Sequence, residues 1–397
     1  MRISGNYHLK SDSIYQADLQ IKPDTFAEKE GWLLPINGPF TLVKAERGTA
    51  ILYVSSPGET PLYYTATPAS LHWGEQKLKL PKSAKRVNPG EMIIWEPGYI
   101  TKQVIDNILV SNIRGDYPIV SAYEEYARLI LFAVQKRLAT CPQSHRVAIA
   151  QSGGLDSLIL AWALHTLGVE VYPLTVCTNS TNLDITAATA CLENWGLKPI
   201  PIVVENSQIE ELLKEAIACL EDVETSNLRM AMGSLLMARK CQELEIQSIF
   251  IGHGHDDIHG KGTLVKAALK HVTEGNESER WAIARKNVTL ATGGMLKMFS
   301  STFRSYGVHV RMPYYDRDLL NWAFSQPTSI IPVTFDKSFV RDFATTVLPN
   351  GEWLNKKHSV GYLTGAGLSF KQPLLKKNPC LAAEFIREIL SDIKRKK

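Results

Sequence analysis

The sequence predicts an α/β protein: a parallel sheet with helices on both faces, preceded by an antiparallel, β-rich domain. Three observations carry this. Short apolar strands alternate with helices of ten or more residues between about 147 and 251, as in βαβ units. Residues 1 to about 115 lack helical periodicity and consist of short β-type runs broken by turn residues. Between the two, from about 121, apolar residues switch to a spacing of three and four. The implied domains are 1–115 and 121–397, the second mostly helical beyond about 262.

In chain order, Thr41–Lys44 and Ala50–Val54 flank Glu46-Arg47-Gly48 and read as a hairpin; Leu62–Tyr64, Leu71–Gly74 and Met92–Trp95 follow as further strands. Tyr123, Tyr126, Ala127, Ile130, Leu131, Val134 and Leu138 mark a linking helix. Then come a strand at 147–150, a helix at 155–167, a strand at 169–174 and a helix at 183–195. A strand at 200–204, helices near 207–220 and 227–243, and a strand at 249–251 complete the alternation. The stripe Leu228, Ala231, Met232, Leu235 and Leu236 reads as helix core.

Composition narrows the class. With 45% hydrophobic and 21% charged residues the chain is neither disordered nor fibrous. A net charge of +4 gives no electrostatic case for a nucleic-acid partner. The longest apolar run, Leu158–Leu164, falls far short of the ~20 residues that span a bilayer. Met1–Asn6 shows no apolar signal region, and the six cysteines form no CxxC pair, so reduced thiols and a cytoplasmic location are expected.

The stretch with the most chemistry is Ala150-Gln151-Ser152-Gly153-Gly154-Leu155-Asp156-Ser157, which follows a buried strand and opens a helix. A helix start offers unpaired N–H groups and the positive end of a dipole to an anion. Consecutive glycines let the backbone approach phosphate oxygens, and Ser152 and Ser157 add hydroxyl donors. Asp156, itself an anion, makes sense there as a Mg²⁺ ligand. No Lys follows the glycines, which excludes the GxxxxGK[ST] loop. A second loop, Ile251-Gly252-His253-Gly254-His255-Asp256-Asp257, closes the fourth strand of the alternation. Ligands gather at the carboxyl ends of parallel strands, so it should face the first loop, with Asp156 and Asp256 clamping one Mg²⁺.

Ser152–Ser157 resembles the pyrophosphate-binding loop of the N-type ATP pyrophosphatases, and Gly252–Asp257 resembles the Gly-Glu-Gly-(Ala/Ser)-Asp-Glu segment of asparagine synthetases and its β-lactam synthetase counterpart. Gly307–Asp316 is similar to the same family's Gly-x-Glu-x-Arg-x-Pro-Phe-x-Asp, and Lys337–Arg341, Leu348-Pro349 and Asn355–Tyr362 to its basic C-terminal segment. The resemblance covers about 121–375 and implies an adenine-nucleotide α-hydrolase-like synthetase domain using ATP and Mg²⁺. It further implies adenine against the backbone at Ala150 and Val176, Gly252 in the nucleotide site, and Lys337 as a phosphate contact. Lys356, with Lys357 in competition, would be the lysine that steadies the transition state. His253 stands where the family carries a Glu or Tyr for proton transfer, a position an imidazole can serve. His309 replaces the family Glu of the Arg-x-Pro segment, where a structural role is expected.

Segments at 61–65, 71–74 and 88–90 echo the glutaminase domain of this family, but that domain needs a nucleophilic Cys after the initiator Met, and this chain has Arg2. The implied activity is therefore adenylation of a carboxylate and its coupling to an amine not taken from glutamine. The substrate would be a small molecule or peptide bearing the carboxylate and the amine; no membrane partner is expected, and a homo-oligomer is compatible with the reading. Three alternatives stand beside it: an ATP-binding sensor or partner protein with impaired catalysis, an ammonia-dependent amidotransferase, and an ATP pyrophosphatase acting on tRNA bases. The weak net charge and the absence of a catalytic cysteine pair speak against the third.

Overall fold

The computed structural model of the chain describes residues 2–5, 14–15, 20–21, 41–46, 48–55, 61–104, 113–177, 183–220, 225–258, 277–291, 295–332 and 337–348. The N-terminal part holds β1 (Arg2–Gly5), β2 (Ile14–Tyr15), β3 (Gln20–Ile21), β4 (Thr41–Glu46), β5 (Thr49–Val54), β6 (Tyr63–Thr67), β7 (Ser70–Gly74), β8 (Lys85–Arg86), β9 (Glu91–Glu96) and β10 (Tyr99–Val104). Two four-stranded sheets run β1-β7-β6-β8 and β10-β9-β5-β4. The expected hairpin is β4–β5, with Glu46 opposite Thr49. Alternate residues from the two sheets (Leu52, Val54, Ile93 and Trp95 from one, Tyr64, Leu71 and Trp73 from the other) share one core, so the sheets pack face to face. One pairing departs from the antiparallel expectation: β1 runs parallel to β7, with Arg2 opposite Ser70. Parallel partners lie far apart in sequence and carry no local turn signal.

The second part is built from α1 (Ile119–Leu138), β11 (Arg146–Ala150), α2 (Leu155–Thr166), β12 (Glu170–Cys177), α3 (Leu183–Leu192) and β13 (Ile200–Val203). It continues with α4 (Ile209–Leu220), α5 (Thr225–Glu243), β14 (Ser248–Phe250), α6 (His255–Ile258), α7 (Glu277–Ala291), α8 (Met295–Arg304), β15 (His309–Arg311), α9 (Arg317–Ala323) and α10 (Ser338–Val347). The sheet order is β13-β12-β11-β14-β15, every pair parallel. The chain steps outward from β11 to β13 and then returns past β11 to β14. Right-handed crossovers therefore put α2 and α3 on one face and α5 on the other. The reversal lies between β11 and β14, whose register sets Ile149 beside Phe250, so the loops after both strands open side by side.

The region beyond 262 was expected to be mostly helical, and the described part of it is, apart from β15. This fifth strand has three residues and one fully apolar side chain, Val310, too little for a period to register. His309 opens it opposite Ser248, its N–H donating to the Gln247 carbonyl at 2.8 Å.

The segment after β15 is anchored by charge. Asp316 caps α9, accepting from the Asp318 N–H at 3.0 Å. The same carboxylate meets the fully buried Arg137 guanidinium at 2.7 Å and the Lys136 ammonium at 2.9 Å, both near the end of α1. Arg311, also buried, donates to the Thr140 carbonyl at 3.1 Å. Burial pushes the Asp316 carboxyl up, but Arg137 and Lys136 outweigh it and hold the group below its ordinary range. A carboxyl depressed in the folded state contributes stability above its unfolded pKa of about 3.9 and loses it as pH falls through the folded value. Asp316→Asn strands Arg137 without its counter-charge, so urea unfolding at pH 7 should show a loss of about 3–5 kcal/mol. That deficit should shrink as the pH is lowered below 4; equal deficits at pH 7 and pH 3 would remove Asp316 from the acid dependence.

Candidate active site

The loop after β11 and the head of α2 lie at the carboxyl edge of the sheet, in contact with the loop after β14. Contact is close enough that a Cβ at Gly252 would crowd the neighbouring backbone, standing 3.0 Å from the Asp156 carbonyl carbon and 3.1 Å from the Ser157 nitrogen. On the other side, Gly153 has φ +71, and a Cβ would come within 2.4 Å of the Ala187 Cβ on α3. The glycines thus serve both the turn and the docking of the loop against its neighbours.

The donors of the loop divide into two groups. Gln151, 2% exposed, turns its side-chain oxygen to the Gly153 N–H at 3.2 Å and to the Ser157 hydroxyl. Ser157 also donates to the Gly154 carbonyl at 2.9 Å. The Ser152 hydroxyl accepts from the Gly154 N–H at 3.3 Å. Gly154 caps α2 with no side-chain hydrogen bond, and the first α-helical bond is Leu158 N–H to Gly154 carbonyl. The head of α2 therefore keeps its uncapped dipole end, with Asp156 in the first turn. Ala150 ends β11 and Val176 lies on β12 at the same edge, where Thr175 donates to the Gln151 carbonyl at 2.7 Å.

Asp156 and Asp256 converge on a single cationic point. The Lys337 ammonium stands 2.5 Å from Asp156 Oδ1 and 2.6 Å from Asp256 Oδ1. Lys337 is 8% exposed and sits at the start of α10 in the left-handed region, φ 57 and ψ 47. A non-glycine residue there costs about 1–3 kcal/mol, strain that concentrates where a side chain must be aimed. Burial pulls the Lys337 pKa down, but Asp156 and Asp256 outweigh it and hold it above its ordinary value. Burial likewise pushes Asp156 up, while Lys337 and His255 hold it far below the usual carboxylate range. The lysine expected as a phosphate contact thus bridges the two aspartates expected to hold a metal.

The two histidines of the second loop separate. His255, fully buried, donates from Nδ1 to Asp156 Oδ1 at 2.5 Å, and its Nε2 meets the Tyr126 hydroxyl at 2.6 Å. His253, the proton-transfer candidate, makes no hydrogen bond to Asp156. Its ring lies 5.2 Å from Phe299 and 5.9 Å from Tyr315, and its Nε2 is buried without a partner. Burial holds the His253 pKa below its ordinary value, with Asp257, Asp256 and Asp156 pulling the other way. Asp257 accepts from the Tyr315 hydroxyl at 2.9 Å, and burial raises its carboxyl. Tyr314 donates to the Asp156 carbonyl at 2.8 Å.

Sequence reasoning passed over His255, Tyr126, Tyr314 and Tyr315. Tyr126 reads as one more apolar position of a helix, and its contact with His255 spans 129 residues. A signal existed for Tyr314 and Tyr315, which directly follow Pro313 in the family-like segment. Lys356 and Lys357 lie outside the described residues. Among the described residues no helix is long and apolar enough to cross a membrane, and no cluster of three or more His, Cys, Asp or Glu side chains is arranged to hold a metal ion by itself.

Comparisons with known proteins bear on this edge of the sheet. A search of curated protein sequences gave no match. Among solved structures the chain is similar to the U34-tRNA thiolase NcsA from Methanococcus maripaludis with its 4Fe–4S cluster, at 15% identity and a TM-score of 0.33, over 69% of this chain and 80% of that one. A score that low carries no argument about function. Residues 125–289 match the family model described as asparagine synthase, a span that includes the loops after β11 and β14 and stops short of Lys337. The matched residues thus hold both loops of this edge, which meet where Gly252 packs on the Asp156 backbone.

Proposed function

We propose that the chain is an ATP-dependent, AMP-forming ligase that joins a carboxylate to an amine. The asparagine synthase-type domain supports an ATP-using, ligase-type activity. The observation that carries the finer reading is the convergence of Asp156 and Asp256 on one cation beside the uncapped head of α2. In the first half-reaction a substrate carboxylate oxygen bonds to the α-phosphorus of ATP while the bond to the β-phosphate oxygen breaks, and pyrophosphate leaves. In the second, the amine nitrogen bonds to the acyl carbon, the acyl–oxygen bond breaks, AMP leaves, and one proton passes to a base.

The donor set fits Mg²⁺: two carboxylates already share a point at which a positive charge sits, and hard cations take oxygen ligands. When bound, Mg²⁺ would neutralise charge on the phosphates. The protein's own parts have separate tasks in this reading. The head of α2 and the loop N–H groups bind anionic oxygens. Lys337 supplies a fixed cation on a strained backbone, free to exchange its carboxylate partners for phosphate. His253, held neutral by burial and with Nε2 unpartnered, is suited to accept the proton of the attacking amine. The N-terminal sheets act as a scaffold in this reading, with β1 seated along β7. The amine then belongs to the substrate, giving a lactam or macrolactam, to a second substrate, or to free ammonia. The cytoplasm is the compartment proposed.

One observation favours a second reading, an ATP-binding sensor with lost chemistry. Gln151 engages two of the donors that would serve phosphate. Tight ATP binding with no AMP formed across carboxylate and amine libraries would select it.

The primary test is product analysis. Pyrophosphate and AMP should appear in equal amounts with the right carboxylate and amine, whereas ADP and phosphate would overturn the proposal. Asp156→Ala should abolish measurable Mg·ATP binding in titration calorimetry; unchanged binding would remove Asp156 from the site. Lys337→Met leaves two facing carboxylates without their ammonium. At pH 7 its Tm should fall, and millimolar Mg²⁺ alone should raise it more than that of the parent protein. Absence of that Mg²⁺-dependent rise would count against a cation site between Asp156 and Asp256.

A further inference from the structure

The proposed reaction needs Asp156 held in one orientation, yet 29% of its side chain is accessible to solvent. A residue at the head of a helix has rotamer freedom that a converging cation site cannot tolerate. The structure supplies a restraint from behind. Tyr126 on α1, fully buried, reaches the His255 Nε2 at 2.6 Å, and His255 reaches Asp156 Oδ1 from Nδ1 at 2.5 Å. A carboxylate only accepts, so Nδ1 carries the proton; Nε2 is then the acceptor, and the Tyr126 hydroxyl donates to it. Both ring nitrogens are engaged, which fixes the tautomer and the ring plane. Packing fixes them further: the Tyr314 ring lies 4.2 Å from the imidazole, and Tyr126 stacks on Trp322 at 5.3 Å.

The relay ends on one oxygen. Lys337 and His255 both address Oδ1 of Asp156, and Oδ2 accepts no hydrogen bond from any described residue. We infer that Tyr126 and His255 are positioning residues: they form a buried donor chain that pins Oδ1 of Asp156 and leaves Oδ2 to the cation that accompanies the nucleotide. The inference rests on the reading of Asp156 as part of a nucleotide site. It goes beyond that reading by giving the site a restraint made of residues from α1 and α6, neither of which approaches the phosphate loop in sequence. The arrangement matches the way carboxylate ligands of metal sites are oriented by outer hydrogen-bond partners, whose loss costs about 10–100-fold in affinity.

The test uses the full chain and two substitutions at one position. Asn at 255 can place its side-chain N–H near where Nδ1–H stood; Leu keeps bulk and removes the donor. In titration with Mg·ATP, His255→Leu should bind about 10-fold or more weakly, with His255→Asn recovering most of the loss. Equal affinities for the two variants, whether both strong or both weak, would overturn the inference. A readout without nucleotide and without substitution is ¹⁵N NMR of histidine-labelled protein. His255 should report a proton on Nδ1 and a bare Nε2, and Tyr126→Phe should disturb that signature. A proton found on Nε2 instead would likewise overturn it, even if neither variant folds. Failure of the parent protein to bind Mg·ATP at all would instead sink the proposed function, which keeps the two outcomes apart.

Discussion

The charge on Asp156, a carboxylate partly withdrawn from water, is what the surrounding architecture sustains. Burial alone would favour the neutral acid. The ammonium of Lys337, the N–H of His255 and the positive end of α2 together reverse the preference. Each of these comes from a different element, brought to the point by the parallel sheet: α2 follows β11, His255 follows β14, and Lys337 begins α10, which packs on α2. The reversal of strand order between β11 and β14 is what opens the space where they meet.

The cost of this arrangement is visible in backbone and packing. Lys337 takes a left-handed conformation that most side chains avoid, and Gly252 and Gly153 give up side chains so that three segments can touch. Local departures from ordinary preference cluster around Asp156, the pattern expected where a site rather than a core dictates the sequence. The rest of the described domain follows ordinary rules, with one large core formed by α1, the sheet and the helices on its faces, and a small satellite of Leu158, Ala344 and Leu348.

Much of this was legible in the sequence because its signals are local. Strand-then-helix alternation gave the first four strands of the sheet, and Ser152-Gly153-Gly154 after a buried strand marked the loop without reference to anything distant. The pairing of Asp156 with Asp256 came from topology, since both follow strands at one edge. What stayed hidden depends on contacts between remote positions. β15 has three residues and no period of its own. β1 pairs with a strand nearly seventy residues away. His255 and His253 are alike in sequence; only the presence of Tyr126 behind one and an aromatic wall around the other distinguishes them. Resemblance names Lys337 only as an expected phosphate contact; its bridge between the aspartates depends on a backbone angle that no residue pattern announces.

The closeness of Gly153 to Ala187 carries a consequence for how variation in this chain should be interpreted. Because the two positions compete for one small volume, their substitutions are energetically coupled rather than independent. A larger residue tolerated at 187 in some background would imply a loop that has already retreated from α3. Sequence drift on α3 would thereby set the shape of the loop after β11, and epistasis between those two sites becomes a marker for how closely loop and helix are docked.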